Sequence, residues 1–245
     1  MKGHLIVLEG TDGSGKGTQL ALLYKNLLKH GYDVEKFDFP RYGQASAFFV
    51  EQYLNGAYGS LADVGPYKGS LFYAMDRFAA SFDILAALRR GKIVLANRYT
   101  ASNMGHQGAK FKAAKDRAEY FKWLDNLEHE ILGIPRPDLN IVLHVPPRLA
   151  QQLVDKKAAR AYLKDAKRDL HEADLSHLKR AEQVYLQMSK LFPENFAVVT
   201  CVQNNLLLSR QAVAAEIWQE VSLLLARQPV IAKTNKGKKS ARSKK

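Results

Sequence analysis

Four short apolar runs lie along this chain, at residues 5–8, 92–96, 139–145 and 196–202, and a more polar segment at residues 33–39 ends before Pro40. Stretches with helical periodicity separate these five segments, and we interpret each of them as a β-strand. Strands that alternate with helices usually form a parallel sheet covered on both faces. The pattern therefore predicts an α/β fold, a three-layer sandwich with a five-stranded parallel sheet, and ligands at the carboxyl ends of the strands.

The clearest helical pattern covers residues 67–90, between Pro66 and Gly91, two residues typical of helix boundaries. Tyr73 and Arg77 lie one turn apart on this helix, and periodicity alone predicts an ordinary solvated arginine at position 77. On roughly the opposite side, apolar residues recur at helical spacing and predict a stripe that faces the core: Leu71, Met75, Phe78, Phe82 and Leu85.

A glycine-rich segment joins the first predicted strand to the first predicted helix. Residues 10–18 read GTDGSGKGT, which is typical of a phosphate-binding P-loop. Glycines let backbone N–H groups form a nest, and Lys16 can reach the outer phosphates of a nucleotide. A loop that merely caps a helix is the alternative, but strand, loop, lysine and helix in this order favour a nucleoside triphosphate. Its expected binding residues are Gly10, Thr11, Asp12, Gly13, Ser14, Gly15, Lys16, Gly17 and Thr18.

The residue after the P-loop lysine is normally Ser or Thr, whose hydroxyl binds Mg²⁺. In this chain it is Gly17, with Thr18 one place later. Because Mg²⁺ usually keeps several of its waters, we expect Thr18 to hold the ion through water.

Composition separates the body of the chain from its end. The chain has 245 residues, of which 47% are hydrophobic, enough for one domain at residues 1–226. Residues 227–245 hold eight Lys and Arg residues and no acid, and subtracting these eight charges from the net charge of +13 leaves +5. We expect this basic tail to be disordered. For the role of this tail, we favour an effect on the solubility of the protein over weak contact with nucleic acid.

The chain has a single cysteine, Cys201, so it forms no internal disulfide. It shows neither a signal-peptide pattern nor an apolar run of about 18 residues. We therefore expect a soluble, cytoplasmic protein with no membrane association.

Several further motifs, in the right order, resemble the thymidylate kinase family of P-loop nucleoside monophosphate kinases. The similar segments are residues 8–16 (LEGTDGSGK), 39–41 (FPR), 71–77 (LFYAMDR), 97–99 (NRY), 102 (S), 106–108 (HQG) and 136–139 (RPDL). Each is weak alone, but together they cover nearly the whole body of the chain. The resemblance implies a P-loop NTPase fold, ATP and Mg²⁺, thymidine 5′-monophosphate (dTMP) as phosphate acceptor, and a homodimer.

The resemblance also implies how the thymine base would bind. Tyr73 would stack on the flat ring. Arg77 and Gln107 would bind the base edge, and the Gln107 amide has both a donor and an acceptor for a pyrimidine carbonyl and ring N–H.

For the rest of the acceptor, the resemblance implies that Asp12 accepts a hydrogen bond from the sugar 3′-hydroxyl. Arg41 and Arg98 would bind the monophosphate, because a planar guanidinium holds two oxygens at once. The implied substrate-binding residues are Asp12, Pro40, Arg41, Tyr73, Arg77, Arg98, Ser102 and Gln107.

In the family, the arginine that assists transfer comes from the P-loop or from a mobile lid. Here Gly13 follows Asp12, so the P-loop offers none. A lid expected at residues 155–172 must supply it, with Arg160 ahead of Arg168, although a solvated basic helix face is the alternative for each. The implied catalytic residues are then Lys16, Arg98, Arg160 and Arg168.

Two more positions depart from the family pattern. Asn97 stands where the family usually has aspartate, and His106 stands where a tyrosine is expected. Two alternatives therefore remain open: a kinase for another nucleoside monophosphate or a nucleoside, and a nucleotide-binding regulator or nucleic-acid-associated protein without kinase activity.

Overall fold

The computed structural model describes residues 2–155 and 175–227. Five parallel strands form one sheet in the order β2-β3-β1-β4-β5. They are β1 (His4–Glu9), β2 (Val34–Asp38), β3 (Ile93–Asn97), β4 (Leu139–His144) and β5 (Phe196–Thr200). The predicted parallel sheet is confirmed, with every strand boundary within two residues of its predicted place. A short antiparallel pair, β6 (Val202–Gln203) and β7 (Leu206–Leu207), follows.

Helices cover both faces of the sheet, as predicted. They are α1 (Lys16–Lys29), α2 (Phe48–Leu54), α3 (Leu61–Arg89), α4 (Thr100–Gly108), α5 (Ala114–Asp125), α6 (Pro147–Asp155), α7 (Leu175–Leu191) and α8 (Arg210–Arg227). Successive side chains of a strand point to opposite faces. Accordingly, Ile6 and Leu8 of β1 pack with α1 and α8, and Leu5 and Val7 pack with α3. None of the helices within the described ranges is long and apolar enough to span a bilayer.

Helix α3 begins its regular course after a kink at Gly65 (φ 71°, ψ 173°), with Pro66 in its first turn. The predicted core-facing stripe on this helix is wrong, because Leu71, Met75 and Phe82 are 40%, 46% and 64% exposed. Small side chains let the opposite side lie close to the sheet, which leaves the large apolar residues on the outer surface. The buried side is formed by Ser70, Ala74, Arg77, Ala80, Ser81, Ile84, Ala87 and Leu88.

Candidate active site

A cavity of about 350 Å³ opens at the carboxyl ends of β1, β2 and β3. Its volume is that of a typical small-ligand site, and its position is the one expected for an open α/β sheet. It brings together eleven of the predicted site residues: Asp12, Gly13, Gly15, Lys16, Gly17, Pro40, Tyr73, Arg77, Arg98, Ser102 and Gln107.

The other predicted residues lie outside this lining. Gly10, Thr11 and Ser14 belong to the same P-loop, with Thr11 and Ser14 buried, and Thr18 is exposed in the first turn of α1. Arg160, Arg168 and all of the predicted lid except residue 155 fall outside the described residues, as does the tail beyond residue 227.

The P-loop is shaped by glycines with positive φ, namely Gly10 (130°), Gly13 (83°) and Gly15 (87°). Lys16 is only 7% exposed, and its ammonium donates to the carbonyl oxygens of Gly10 (2.9 Å) and Thr11 (2.8 Å). The loop therefore holds the charge of Lys16 next to backbone N–H groups that suit a phosphate.

Alanine substitutions at two glycines of this segment are expected to change the free energy of unfolding by different amounts. A Cβ atom at Gly13, which has positive φ, would lie 2.0 Å from the Ala150 carbonyl oxygen, whereas one at Gly17 meets nothing within 4 Å. We expect Gly13→Ala to lower the free energy of unfolding by more than about 2 kcal/mol. The matched variant Gly17→Ala is expected to change it by less than about 1 kcal/mol. Urea denaturation measures both, and equal effects would contradict this account of the loop.

Arg98 follows β3 with φ 64°, a backbone conformation that costs energy for a residue other than glycine and is common at functional sites. Its Nη2 donates to Asp12 Oδ1 (2.6 Å). Its Nη1 donates to Ser102 Oγ (3.1 Å) and lies 3.2 Å from His106 Nε2. Burial is the largest single influence and lowers the pKa of the guanidinium, but the combined effects of Asp12, Tyr185 and Glu9 raise the pKa above its usual value. Arg98 is thus a fixed cation beside the P-loop.

Glu9, at the end of β1, is fully buried beneath this arginine. Its carboxylate accepts hydrogen bonds from the Tyr99 backbone N–H (2.8 Å), Ser102 Oγ (2.6 Å) and the Tyr185 hydroxyl (3.2 Å). Burial raises the pKa of Glu9, and the Ser102 hydrogen bond and the Arg98 charge oppose that shift. Glu9 therefore orients the start of α4, from which Ser102 reaches the cavity.

Arg77 is not a solvated surface arginine: it is 2% exposed. Its Nε and Nη2 donate to the two carboxylate oxygens of Glu128, at 2.7 and 2.6 Å. Thr100 Oγ1 (2.7 Å) and Asn103 Nδ2 (3.3 Å) donate to the same carboxylate. Glu128 lies in a short π-helical segment, Asn126–Ile131. Within the described residues the remaining Nη1 group of Arg77 donates no hydrogen bond, and Arg77 lines the cavity.

Gln107 is 1% exposed, and neither atom of its amide has a hydrogen-bond partner among the described residues. Its Oε1 lies only 3.2 Å from the place where a Cβ atom of Gly69 would stand. A buried amide without partners costs roughly 1–3 kcal/mol. In a cavity wall, such an amide points to a polar ligand that satisfies it.

The two neighbouring aromatic residues of α3, Phe72 and Tyr73, have different surroundings. Tyr73 lines the cavity, whereas Phe72 stacks on Phe49 with ring centroids 5.9 Å apart. Tyr73, which also packs edge-on against Tyr53, is therefore the one of the two that forms part of the cavity wall.

Arg41 lies next to the cavity lining rather than within it. Its Nε donates to Asp76 Oδ1 (2.9 Å), and its Nη2 donates to Ser46 Oγ (2.8 Å). A cis peptide bond joins Phe39 to Pro40 just before it. In this structure Arg41 is held against α3 by the Asp76 carboxylate.

Sequence reasoning missed several lining residues that a neighbouring strand or helix turn brings in: Asp38, Phe39, Tyr42, Leu54 and Asn103. For Asn103, the available signal was its place on α4, four residues before Gln107. For Asp38, the signal was a carboxylate at the carboxyl end of a predicted strand.

No group of three or more His, Cys, Asp or Glu residues in the described part of the chain is arranged to hold a metal ion. Mg²⁺ needs no such cluster, since one or two carboxylates and the substrate phosphates usually hold it. The cavity offers the carboxylates of Asp12 and Asp38 near Lys16, and the Asn97 side chain binds only one oxygen of Asp38 (Nδ2 to Oδ1, 2.7 Å). These oxygen donors fit a magnesium ion that arrives with a nucleotide.

The chain thus has a P-loop with its lysine at the carboxyl end of the central strand of a parallel sheet, and this loop opens to a cavity lined by Arg77, Arg98 and Gln107. This combination defines a P-loop kinase. The thymidylate kinase family model matches residues 8–212, so the chain belongs to the thymidylate kinase family.

Similar proteins agree with this assignment. The thymidylate kinase of Mycobacterium tuberculosis is 32% identical over 76% of this chain and 85% of the relative. The thymidylate kinase of Deinococcus radiodurans is 30% identical over 90% of this chain and 97% of the relative. A solved structure of thymidylate kinase from Candida albicans shares the fold, with a TM-score of 0.67 and 19% identity over 91% of this chain and 92% of that one.

Proposed function

We propose that this chain transfers the γ-phosphoryl group of ATP to dTMP, giving ADP and thymidine 5′-diphosphate (dTDP). Family membership supports this reaction. The observation that carries it is one cavity lined both by the P-loop lysine, Lys16, and by the unsatisfied amide of Gln107 beside Arg77. The first suits the phosphates of a nucleotide, and the second suits the edge of a base.

The base end of the cavity favours a pyrimidine with a carbonyl next to a ring N–H. The Gln107 amide donates to one and accepts from the other. Arg77 adds a donor, since Glu128 binds only its Nε and Nη2. Tyr73 supplies the stacking face, a contact worth about 1–3 kcal/mol for bases on aromatic side chains.

At the phosphate end, the residues position the reactants and neutralise charge, and no covalent intermediate with the protein is needed. Lys16 faces the transferred phosphoryl group, and Arg98 holds the acceptor monophosphate. Asp12 orients Arg98 and accepts from the sugar hydroxyl. When Mg²⁺ is bound, it neutralises and orients the phosphate oxygens. Thr18, exposed in the first turn of α1, would hold the ion through water.

The assignment of an assisting arginine to Arg160 or Arg168 stays a prediction, because both lie outside the described residues. The same holds for lid closure, which would exclude water during transfer. Arg41 remains a candidate for the monophosphate if its pairing with Asp76 rearranges around that group.

A coupled assay of ADP formation tests the acceptor. The full-length chain is given Mg-ATP with dTMP, dUMP, dCMP, dGMP or thymidine in turn. We expect the highest kcat/KM with dTMP. A different best acceptor keeps the kinase and refutes the base assignment. Binding of ATP without turnover on any acceptor would instead favour a nucleotide-binding regulator.

We also propose that two copies of the chain associate through the outer face of α3. Leu71, Met75 and Phe82 expose large apolar surface on one side of this helix, and contiguous patches of this kind commonly mark interfaces. A second copy would cover the same patch on its partner, as a two-fold interface requires.

The dimer proposal predicts that Phe82→Glu lowers the mass measured by light scattering from that of a dimer to that of a monomer, because the charge would lie in the apolar contact. The control is Leu223→Glu on α8, where Leu223 is 47% exposed and lies away from α3. We expect it to stay dimeric. A monomeric wild-type chain would refute the proposal.

Two further properties stay predictions from the sequence alone. Weak nucleic-acid contact would require the basic tail, and removing the tail would then abolish a salt-sensitive binding. A cytoplasmic location is the other.

A further inference from the structure

Asp38 and Asn97 end two neighbouring strands and face each other across them. In the β2–β3 pairing, Asp38 is the register partner of Asn97, and Asn97 Nδ2 donates to Asp38 Oδ1 at 2.7 Å. Position 97 is where the family pattern has an aspartate, so this chain carries the amide there and the carboxylate one strand away.

We propose that Asp38 supplies, from β2, the carboxylate that holds Mg²⁺ for phosphoryl transfer, and that Asn97 positions it. The proposal rests on the kinase function proposed above. It assigns to Asp38 a carboxylate ligand for Mg²⁺, which Thr18, with its hydroxyl, does not provide.

Charge in the cavity supports this assignment. Asp38 lines the same cavity as Lys16, Arg98 and Asp12. A carboxylate next to bound phosphates is repelled by them, and the effect is strong at close range. Arg98 is already bound to Asp12 at 2.6 Å. Asp38 would hold a divalent cation that offsets this repulsion, and a carboxylate oxygen is a ligand that Mg²⁺ prefers.

The hydrogen bonds of Asp38 are consistent with a metal ligand. Within the residues that the structure describes, Asn97 is the only side chain that donates to its carboxylate, and the Asp38 side chain is exposed to the cavity. A ligating carboxylate is typically hydrogen bonded by a second residue that fixes its orientation, which is the role assigned to Asn97.

The competing role for Asp38 is a hydrogen bond to a hydroxyl group of the substrate. The two roles differ in one measurable quantity, the factor by which Mg²⁺ tightens nucleotide binding. A carboxylate that binds the ion contributes to that factor, whereas one that binds a hydroxyl changes affinity equally with and without Mg²⁺.

The experiment is calorimetric titration of the full-length chain with adenylyl imidodiphosphate, in Mg²⁺ and in EDTA. For Asp38→Asn we expect the Mg²⁺-dependent gain in affinity to fall by about tenfold, since loss of a group that supports a metal site typically costs 10–100-fold in metal affinity. Affinity in EDTA should not fall. Asp116→Asn, an exposed carboxylate in the first turn of α5, is the control and should match wild type.

The exchange variant Asp38→Asn/Asn97→Asp keeps one carboxylate and one amide in the same register pair. Because it contains the same Asp38→Asn change, recovery of the Mg²⁺-dependent gain in this variant would show that the loss in Asp38→Asn is not a folding defect. We expect it to restore the gain to within about threefold of wild type. An unchanged gain in Asp38→Asn, equal losses with and without Mg²⁺, or no recovery in the exchange variant would each overturn the proposal. Wild-type chain that binds no nucleotide in either condition would refute the kinase function itself, and the proposal with it.

Discussion

Lys16→Ala is expected to lower kcat for phosphoryl transfer to dTMP by about 10³-fold. Removing a single preorganised group that stabilises transition-state charge typically costs 10²–10³-fold, and cations on a transferred phosphoryl group cost more. Arg98 and Arg77, the other cations of the described cavity lining, are bound to Asp12 and Glu128. Neither can move into the place of Lys16 without giving up its own ion pair.

The measurement is the initial rate at saturating ATP and dTMP. Lys29→Ala is the matched control, because Lys29 is an exposed lysine in the last turn of the same helix, α1. It should retain the wild-type rate. A Lys16→Ala rate within tenfold of wild type would contradict the role of the P-loop lysine in transfer.

Glu128→Ala is expected to destabilise the fold by about 3–5 kcal/mol. The change leaves the guanidinium of Arg77 buried without its counter-charge, and removing one partner of a buried ion pair has this cost. Thr100 and Asn103 also lose their acceptor. A buried ion pair is weak evidence for net stabilisation, so the expected cost reflects the unpaired charge.

Urea denaturation measures the loss. The control is Glu130→Ala, two residues along the same π-helical segment, whose carboxylate pairs with the half-exposed Arg136. Exposed pairs of this kind contribute about 0.2–1 kcal/mol, so the control should stay near wild type. In the double variant Glu128→Leu/Arg77→Met we expect much of the lost stability to return. If Glu128→Ala and Glu130→Ala lowered the free energy of unfolding equally, the predicted cost of leaving Arg77 buried without its counter-charge would be wrong.

Local features of this fold could be predicted from sequence. Four of the five strands of the sheet are short apolar runs, and the second, Val34–Asp38, is more polar but is followed closely by Pro40. The P-loop carries its chemistry in consecutive residues. The sheet and the phosphate end of the cavity therefore followed from patterns within a few residues of one another.

Features that depend on packing could not be predicted. Periodicity shows that Leu71, Met75 and Phe82 share one side of α3, but it does not show which side meets the sheet. The sheet takes the side with small residues, such as Ala80, because a close approach there buries more apolar surface. The same reversal turned Arg77 from a predicted surface residue into a buried one.

Partners far apart in sequence were also out of reach. Arg77 and Glu128 are separated by 51 residues, and Asp38 and Asn97 by 59. The Asp38–Asn97 pair depends on the register between β2 and β3. A shift of one residue in that register would separate the two side chains. The sequence shows a carboxylate at the end of one strand and an amide at the end of another, but only the folded sheet shows that the two are register partners.

Transfer of labelled phosphate tests the central claim most directly. The full-length chain is incubated with [γ-³²P]ATP, Mg²⁺ and dTMP, and the products are separated by chromatography, with Lys16→Ala in parallel. The account predicts that the label appears in dTDP, one equivalent for each ADP formed, and that the variant gives almost none. Label released only as inorganic phosphate, or none released despite bound ATP, would contradict it.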